Sequence, residues 1–97
     1  TQVNIDLSVA NTFVINVRNN NTLVETINES ANAGAYYTFI IKNEGNHDIN
    51  FGASFYFVGG EPQITSGNGK IDLMSFVCDG TNLYGGISPN LIPANGV

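Results

Sequence analysis

The chain has 97 residues, a net charge of −5, and charged residues at only 11% of the total, well below the ~25% usual for soluble domains. That length allows one domain, and with only Arg18, Lys42 and Lys70 as cations no basic patch can neutralise phosphates, which argues against nucleic-acid binding. Hydrophobic residues make up 42% of the chain, enough for a core, so Asn, Thr, Ser and Gly are left to cover the surface.

Val3, Ile5, Leu7 and Val9 alternate with Gln2, Asn4, Asp6 and Ser8, which predicts a half-buried strand with one wet face. Phe13, Ile15 and Val17, with Val14 between them, predict a second strand, stopped by Asn19-Asn20-Asn21, a run that tolerates left-handed φ. Residues 23–27 predict a third. The polar stretch 28–34 reads as a loop with room for one helical turn at 29–33. Residues 35–42 (AYYTFIIK) are aromatic and β-branched, as suits a central strand, and 43–48 read as a turn. Ile49, Phe51, Ala53, Phe55 and Phe57 then share one strand face, with Phe51, Phe55 and Phe57 expected inside.

Gly59, Gly60, Pro62 and Gly69 mark turns ahead of the next strand. There Ile71, Leu73, Ser75 and Val77 alternate with Asp72, Met74, Phe76 and Cys78, mostly apolar on both faces, which predicts a strand inside a sandwich. Asp79-Gly80 signals a tight hairpin because Gly supplies positive φ without a steric penalty, and the chain returns as Asn82-Leu83-Tyr84. Pro89, Pro93 and Gly96 disfavour a central strand, so residues 87–97 read as an extended C-terminal tail able to cross onto a neighbouring subunit. No segment sustains helical spacing. The whole predicts an all-β fold, a single antiparallel β-sandwich or jelly-roll-like domain over residues 1–86.

Cys78 is the sole cysteine, which excludes an intrachain disulfide. Its place in the apolar alternation predicts a buried core thiol and synthesis in a reducing cytoplasm. No apolar run approaches the ~18 residues of a membrane span, so a soluble chain without membrane insertion is expected. A domain this small buries roughly 60–65% of its unfolded surface, so association, expected as a homotrimer, would add burial.

The second half of the chain also carries a pattern. A strand ends at Phe57, followed by a Gly59-Gly60-x-Pro62 loop, Ile64-Thr65, and a polar turn closed by Gly69. An Ile71-Asp72-x-x-Ser75-Phe76 strand, an Asp79-Gly80-Thr81 turn and a closing Leu83-Tyr84-Gly85 complete it. This resembles the small β-domains of tailed-bacteriophage virion proteins, which occur at tail-fibre tips and collars and on capsid surfaces. The resemblance covers about the last 40 residues; upstream only the plan of short strands fits. Where that family often carries a Trp before its Gly-Gly loop, this chain has none, and Phe51, Phe55 and Phe57 stand there.

The resemblance implies a non-enzymatic virion structural protein displayed on the particle surface, made in the host bacterial cytoplasm and needing no cofactor. Its partners would be other virion proteins. Thr1 fits an N-terminus left by removal of an initiator Met, which makes a complete small protein as natural a reading as an excised domain, and the first choice is a capsid decoration or head-surface protein. The alternatives are the distal or collar receptor-binding domain of a tail fibre, which would serve host attachment through a surface glycan, and, from another class, a carbohydrate-binding module.

Few residues invite chemistry. His47 beside Asp48 could orient a general base, but the pair falls in a turn with no nucleophile or metal in sight, so no catalytic residue is expected. Asp72 and Asp79 face opposite sides of their strand, and Asp79 already has a turn role, so no metal site is expected. Asp72 is instead a candidate acceptor for loop amides or for a neighbouring subunit. Tyr36, Tyr37, Tyr56 and Tyr84 are candidates for interface packing or for stacking on sugar rings. Gly59, Gly60, Pro62, Gly69, Asp79 and Gly80 are assigned to turns.

Overall fold

The computed structural model describes residues 1–96; Val97, the last residue of the expected tail, lies outside the described residues. Eight strands form: β1 (Gln2–Asp6), β2 (Thr12–Val17), β3 (Thr22–Ile27), β4 (Tyr36–Asn43), β5 (Ile49–Phe51), β6 (Phe55–Phe57), β7 (Lys70–Cys78) and β8 (Leu83–Ser88). One 3-10 turn, Glu29–Asn32, interrupts them. No helix among the described residues is long and apolar enough to cross a membrane.

The strands build two sheets packed together, a three-stranded one in the order β1-β3-β5 and a five-stranded one in the order β2-β4-β7-β8-β6. The fold is therefore all-β and two-layered, but the expected all-antiparallel pairing is corrected. β1 with β3, β3 with β5, β2 with β4 and β6 with β8 are parallel, and only β4 with β7 and β7 with β8 are antiparallel. Parallel neighbours need a crossover connection; for β1–β3, β2–β4 and β3–β5 the crossover is a strand of the opposite sheet, whereas β6 and β8 are joined through β7 of their own sheet. From β1 to β5 the chain alternates between layers, so each return lands parallel to the strand before last. This strand order leaves the jelly-roll expectation unsupported.

Between the layers lies a core of Ile5, Leu7, Ile15, Val17, Val24, Phe39, Ile41, Met74, Phe76, Leu83 and their neighbours. Phe39 packs edge-on against Phe13 and Phe55, with ring centroids 5.9 and 6.0 Å apart, and tilts against Phe76 at 5.1 Å. Phe51 and Phe57 extend the cluster. Buried aromatics of this kind carry much of a small domain's apolar burial.

Residues 49–57, expected as one strand, are two. Gly52 donates its amide to the Val24 carbonyl and accepts from the Phe55 amide, pivoting the chain from one sheet to the other. A Cβ at Gly52 would meet the Glu25 carboxylate, so a larger residue at the pivot would have to push that side chain aside. Phe51 and Phe55 stay inside because β5 and β6 face each other across the core. Near the N-terminus, β1 ends at Asp6, whose carboxylate takes the Ser8 amide and hydroxyl, and this turn leaves Val9 exposed.

β8 runs to Ser88, into the segment expected to be tail. Beyond Pro89 the chain stays fastened to β7, with the Asn90 amide on the Asp72 carboxylate and the Leu91 amide on the Ile71 carbonyl. The β7–β8 connection is a four-residue loop, 79–82, closed by the Asp79 amide on the Asn82 carbonyl at 3.1 Å, with Gly80 at φ 95°. Gly59, Gly60 and Gly69 likewise sit at positive φ.

Candidate contact face

Strand alternation gives the five-stranded sheet an inner face of core residues and an outer face that solvent reaches. Cross-strand register aligns four residues on that outer face. Tyr36 of β4 stands opposite Val77 of β7, Val77 opposite Tyr84 of β8, and Tyr84 beside Tyr56 of β6. With strands ~4.8 Å apart, the row spans roughly 14 Å. Tyr36 is 75%, Tyr56 53% and Tyr84 38% exposed. The Tyr56 and Tyr84 rings lie 5.1 Å apart, inclined at 32°.

The next row along the strands holds Thr12, Thr38, Ser75 and Gly86, and the one after it Val14, Ile40, Leu73 and Ser88. Lys42, in the following row beside Asn16 and Ile71, is the only charged strand residue on this face among the described residues. Aromatic rings thus lie beside a band of hydroxyls, on a face whose strands are almost free of charge.

One tyrosine is held in place. The Tyr84 hydroxyl donates to Asp79 Oδ2 at 2.9 Å, while Asp79 Oδ1 accepts the Thr81 and Asn82 amides at 2.9 and 2.7 Å. Asn82 Nδ2 reaches the Tyr84 hydroxyl at 3.4 Å. These bonds, the Asn82 and Thr81 amides first and Tyr84 after them, hold the Asp79 carboxyl below its ordinary range. Asp79 is therefore both the turn residue that its sequence context indicates and the anchor of a surface ring.

Tyr37 does not join the row. It is 1% exposed, and its hydroxyl donates to the Leu7 carbonyl at 2.8 Å. Neighbours on a strand point to opposite faces, so with Tyr36 outward Tyr37 belongs to the core, and burial pushes its phenol pKa up, with Cys78 adding to the shift. This corrects its candidacy as a surface contact. Val77, by contrast, was absent from the candidate residues although its alternation with Phe76 and Cys78 marked it as outward.

Asp72 is also inside, 2% exposed, on the core face of β7. Its carboxylate accepts three bonds: the Thr65 amide at 2.6 Å, the Thr65 hydroxyl at 2.7 Å and the Asn90 amide at 2.7 Å. It clasps the loop before β7 to the segment after β8, and its oxygens are taken up within the chain. Cys78 is buried and free, its sulfur accepting the Gly80 amide. His47 and Asp48 lie in the β4–β5 connection, where the Asp48 amide donates to Asn20 Oδ1. No group of three or more His, Cys, Asp or Glu able to hold a metal occurs among the described residues.

No family model, curated protein or solved structure matches this chain.

Proposed function

We propose that this chain is a non-catalytic structural domain of a tailed-bacteriophage virion, displayed on the particle surface and acting by contact. The observation that carries the reading is the Tyr36, Val77, Tyr84, Tyr56 row on a face with a single strand-borne charge. Tyrosine enrichment and charge depletion are the compositional marks of a protein contact surface, and the pattern of residues 57–85 supplies the virion setting. The first reading is a capsid decoration protein that lays this face on the head surface.

A second reading has its own observation. Tyr84 is fixed by Asp79 beside the Asn82 amide, which sets an aromatic face next to groups that can bond hydroxyls. In that reading the chain is the distal or collar domain of a tail fibre and the row stacks on a host-surface glycan. A carbohydrate-binding module would use the face in the same way.

The double variant Tyr36→Ser/Tyr56→Ser separates these readings. Under the first, the chain is present in large excess over tail fibres, the variant loses binding to undecorated heads, and an array of bacterial surface glycans stays silent. Glycan binding by the wild type, lost in the variant, favours the fibre reading over decoration. Undiminished binding by the variant in both assays removes the face from the account.

A further inference from the structure

The sandwich has four edge strands, β1 and β5 in one sheet and β2 and β6 in the other. An open edge presents unpaired amides and carbonyls to any passing strand, and proteins block such edges with charge, short strands or local turns. Two of the four are capped by local bonds, and a third carries a charge. On β5 the Phe51 amide is capped by Glu61 Oε2 at 3.0 Å. On β6, three residues long, the Phe55 amide bonds the Gly52 carbonyl and the Phe57 carbonyl accepts the Gly60 amide. β1 ends in the charged Asp6 and presents only Gln2, Asn4 and Asp6 on its outer side.

β2 has no such protection. Its sequence, TFVINV, contains no charge, proline or glycine. The Asn11 and Val17 carbonyls accept from the Thr38 and Glu44 amides of the β4 side, so the odd-numbered residues bond inward. By the alternation of a ladder, the main-chain groups of Thr12, Val14 and Asn16 point away from the sheet. Val14 is 53% exposed on the outer face.

The strand is also complementary to itself. Antiparallel pairing about a two-fold axis at Val14 sets Val14 against Val14, Thr12 against Asn16 and Phe13 against Ile15. Like faces meet, and the outward-pointing residues fall on the hydrogen-bonded pairs, giving about six main-chain bonds. Nothing charged is brought into opposition, and Arg18 at the strand end is engaged by Glu44 at 3.0 Å. We propose that β2 is a self-association edge, through which a second copy of this chain adds antiparallel to form a two-fold dimer with one continuous sheet. The interface is isologous and closes after two subunits.

Sedimentation equilibrium of the whole chain tests this, with three variants. The wild type is expected at twice its 10.3 kDa mass. Val14→Pro removes an edge amide that the β4 ladder does not use, and Val14→Lys sets two like charges on the axis. Each should raise the dimer dissociation constant at least about tenfold with strand circular dichroism unchanged. Should Val14→Pro fail to fold, Val14→Lys decides. Val14→Cys should cross-link on oxidation, because Cα atoms ~5.5 Å apart in such a pair suit a disulfide. A wild-type monomer, a trimer, a dimer indifferent to Val14→Lys, or a Val14→Cys variant that fails to cross-link would each overturn the proposal.

Discussion

The outer face of the three-stranded sheet presents Gln2, Asn4, Asp6 and Glu25 beside the aliphatic Leu23 and Ile27, whereas that of the five-stranded sheet presents Tyr36, Val77, Tyr84, Tyr56 and a band of Thr and Ser. Both faces come from the same period-two alternation over one shared core. On the first, polar groups tie to local backbone and to each other, as in the bonds of Asp6 to Ser8 and Asn28. On the second, only Tyr84 is tied down, through Asp79, while the Tyr36 and Tyr56 rings stand exposed. Alternation alone decides which residues face out; the identity of those residues decides whether a face suits water or a partner.

The strongest way to break the comparison is to remove what the two faces share. Phe76→Ala takes a ring from the centre of the aromatic cluster and should cost about 3–5 kcal/mol. Urea denaturation should show one cooperative transition moved to lower denaturant, because both sheets lean on the same core.

Asp72→Ala is the next largest. It leaves the Thr65 amide and hydroxyl and the Asn90 amide without their acceptor, an expected loss of about 1.5–3 kcal/mol. Hydrogen exchange should quicken at Asn90 and Leu91 while the Asp6–Asn28 corner keeps its protection, which would assign the clasp to the five-stranded side alone.

Acid should act on both faces through different carboxylates. Asp6 is held below its ordinary value of 3.8 by the Ser8 hydroxyl, then Asn28 and the Ser8 amide, and Asp79 by the Asn82 and Thr81 amides and Tyr84. A lowered folded-state value means that the stabilisation is complete above the ordinary carboxylate range and is lost as pH falls through the lowered value. As pH falls below 3.8 and through these lowered values, NMR should detect release of the Tyr84 ring on one side and of the Asn28 side chain on the other, with no loss of strand signals.

The smallest effect on stability belongs to the row itself. Tyr36→Ser should change stability by no more than about 0.5 kcal/mol, as expected of an exposed position, while weakening contact by the tyrosine face. An Asn4→Ser change on the opposite face should leave both stability and contact intact.

Much of this architecture was legible in the sequence, for a local reason. Alternation placed Ile5, Ile15, Phe39 and Phe76 in strands, and the asparagine run and the glycines marked turns that the backbone makes at positive φ, as at Asn21 and Gly80. What escaped depends on long-range pairing. Parallel order arises because β2 and β4 cross to the other layer, which no local pattern records. The break at Gly52 is held by its bonds to Val24 of β3 and to Phe55, the first of them a contact between separate strands. Tyr36 and Tyr37 look alike in composition and differ only in parity. The row appears only once register joins Tyr36, Val77, Tyr84 and Tyr56, and the bare edge of β2 only once sheet order is known.

The most direct test of the account is a reconstruction of the virion proposed to carry this chain, at a resolution that traces its strands. The account predicts the chain on the particle surface with the Tyr36, Tyr84 and Tyr56 rings buried against a neighbouring protein and the Asn4 and Glu25 face in solvent. Finding the tyrosine row bare while the Asn4 and Glu25 face is buried, or finding no such chain in the particle, would contradict it.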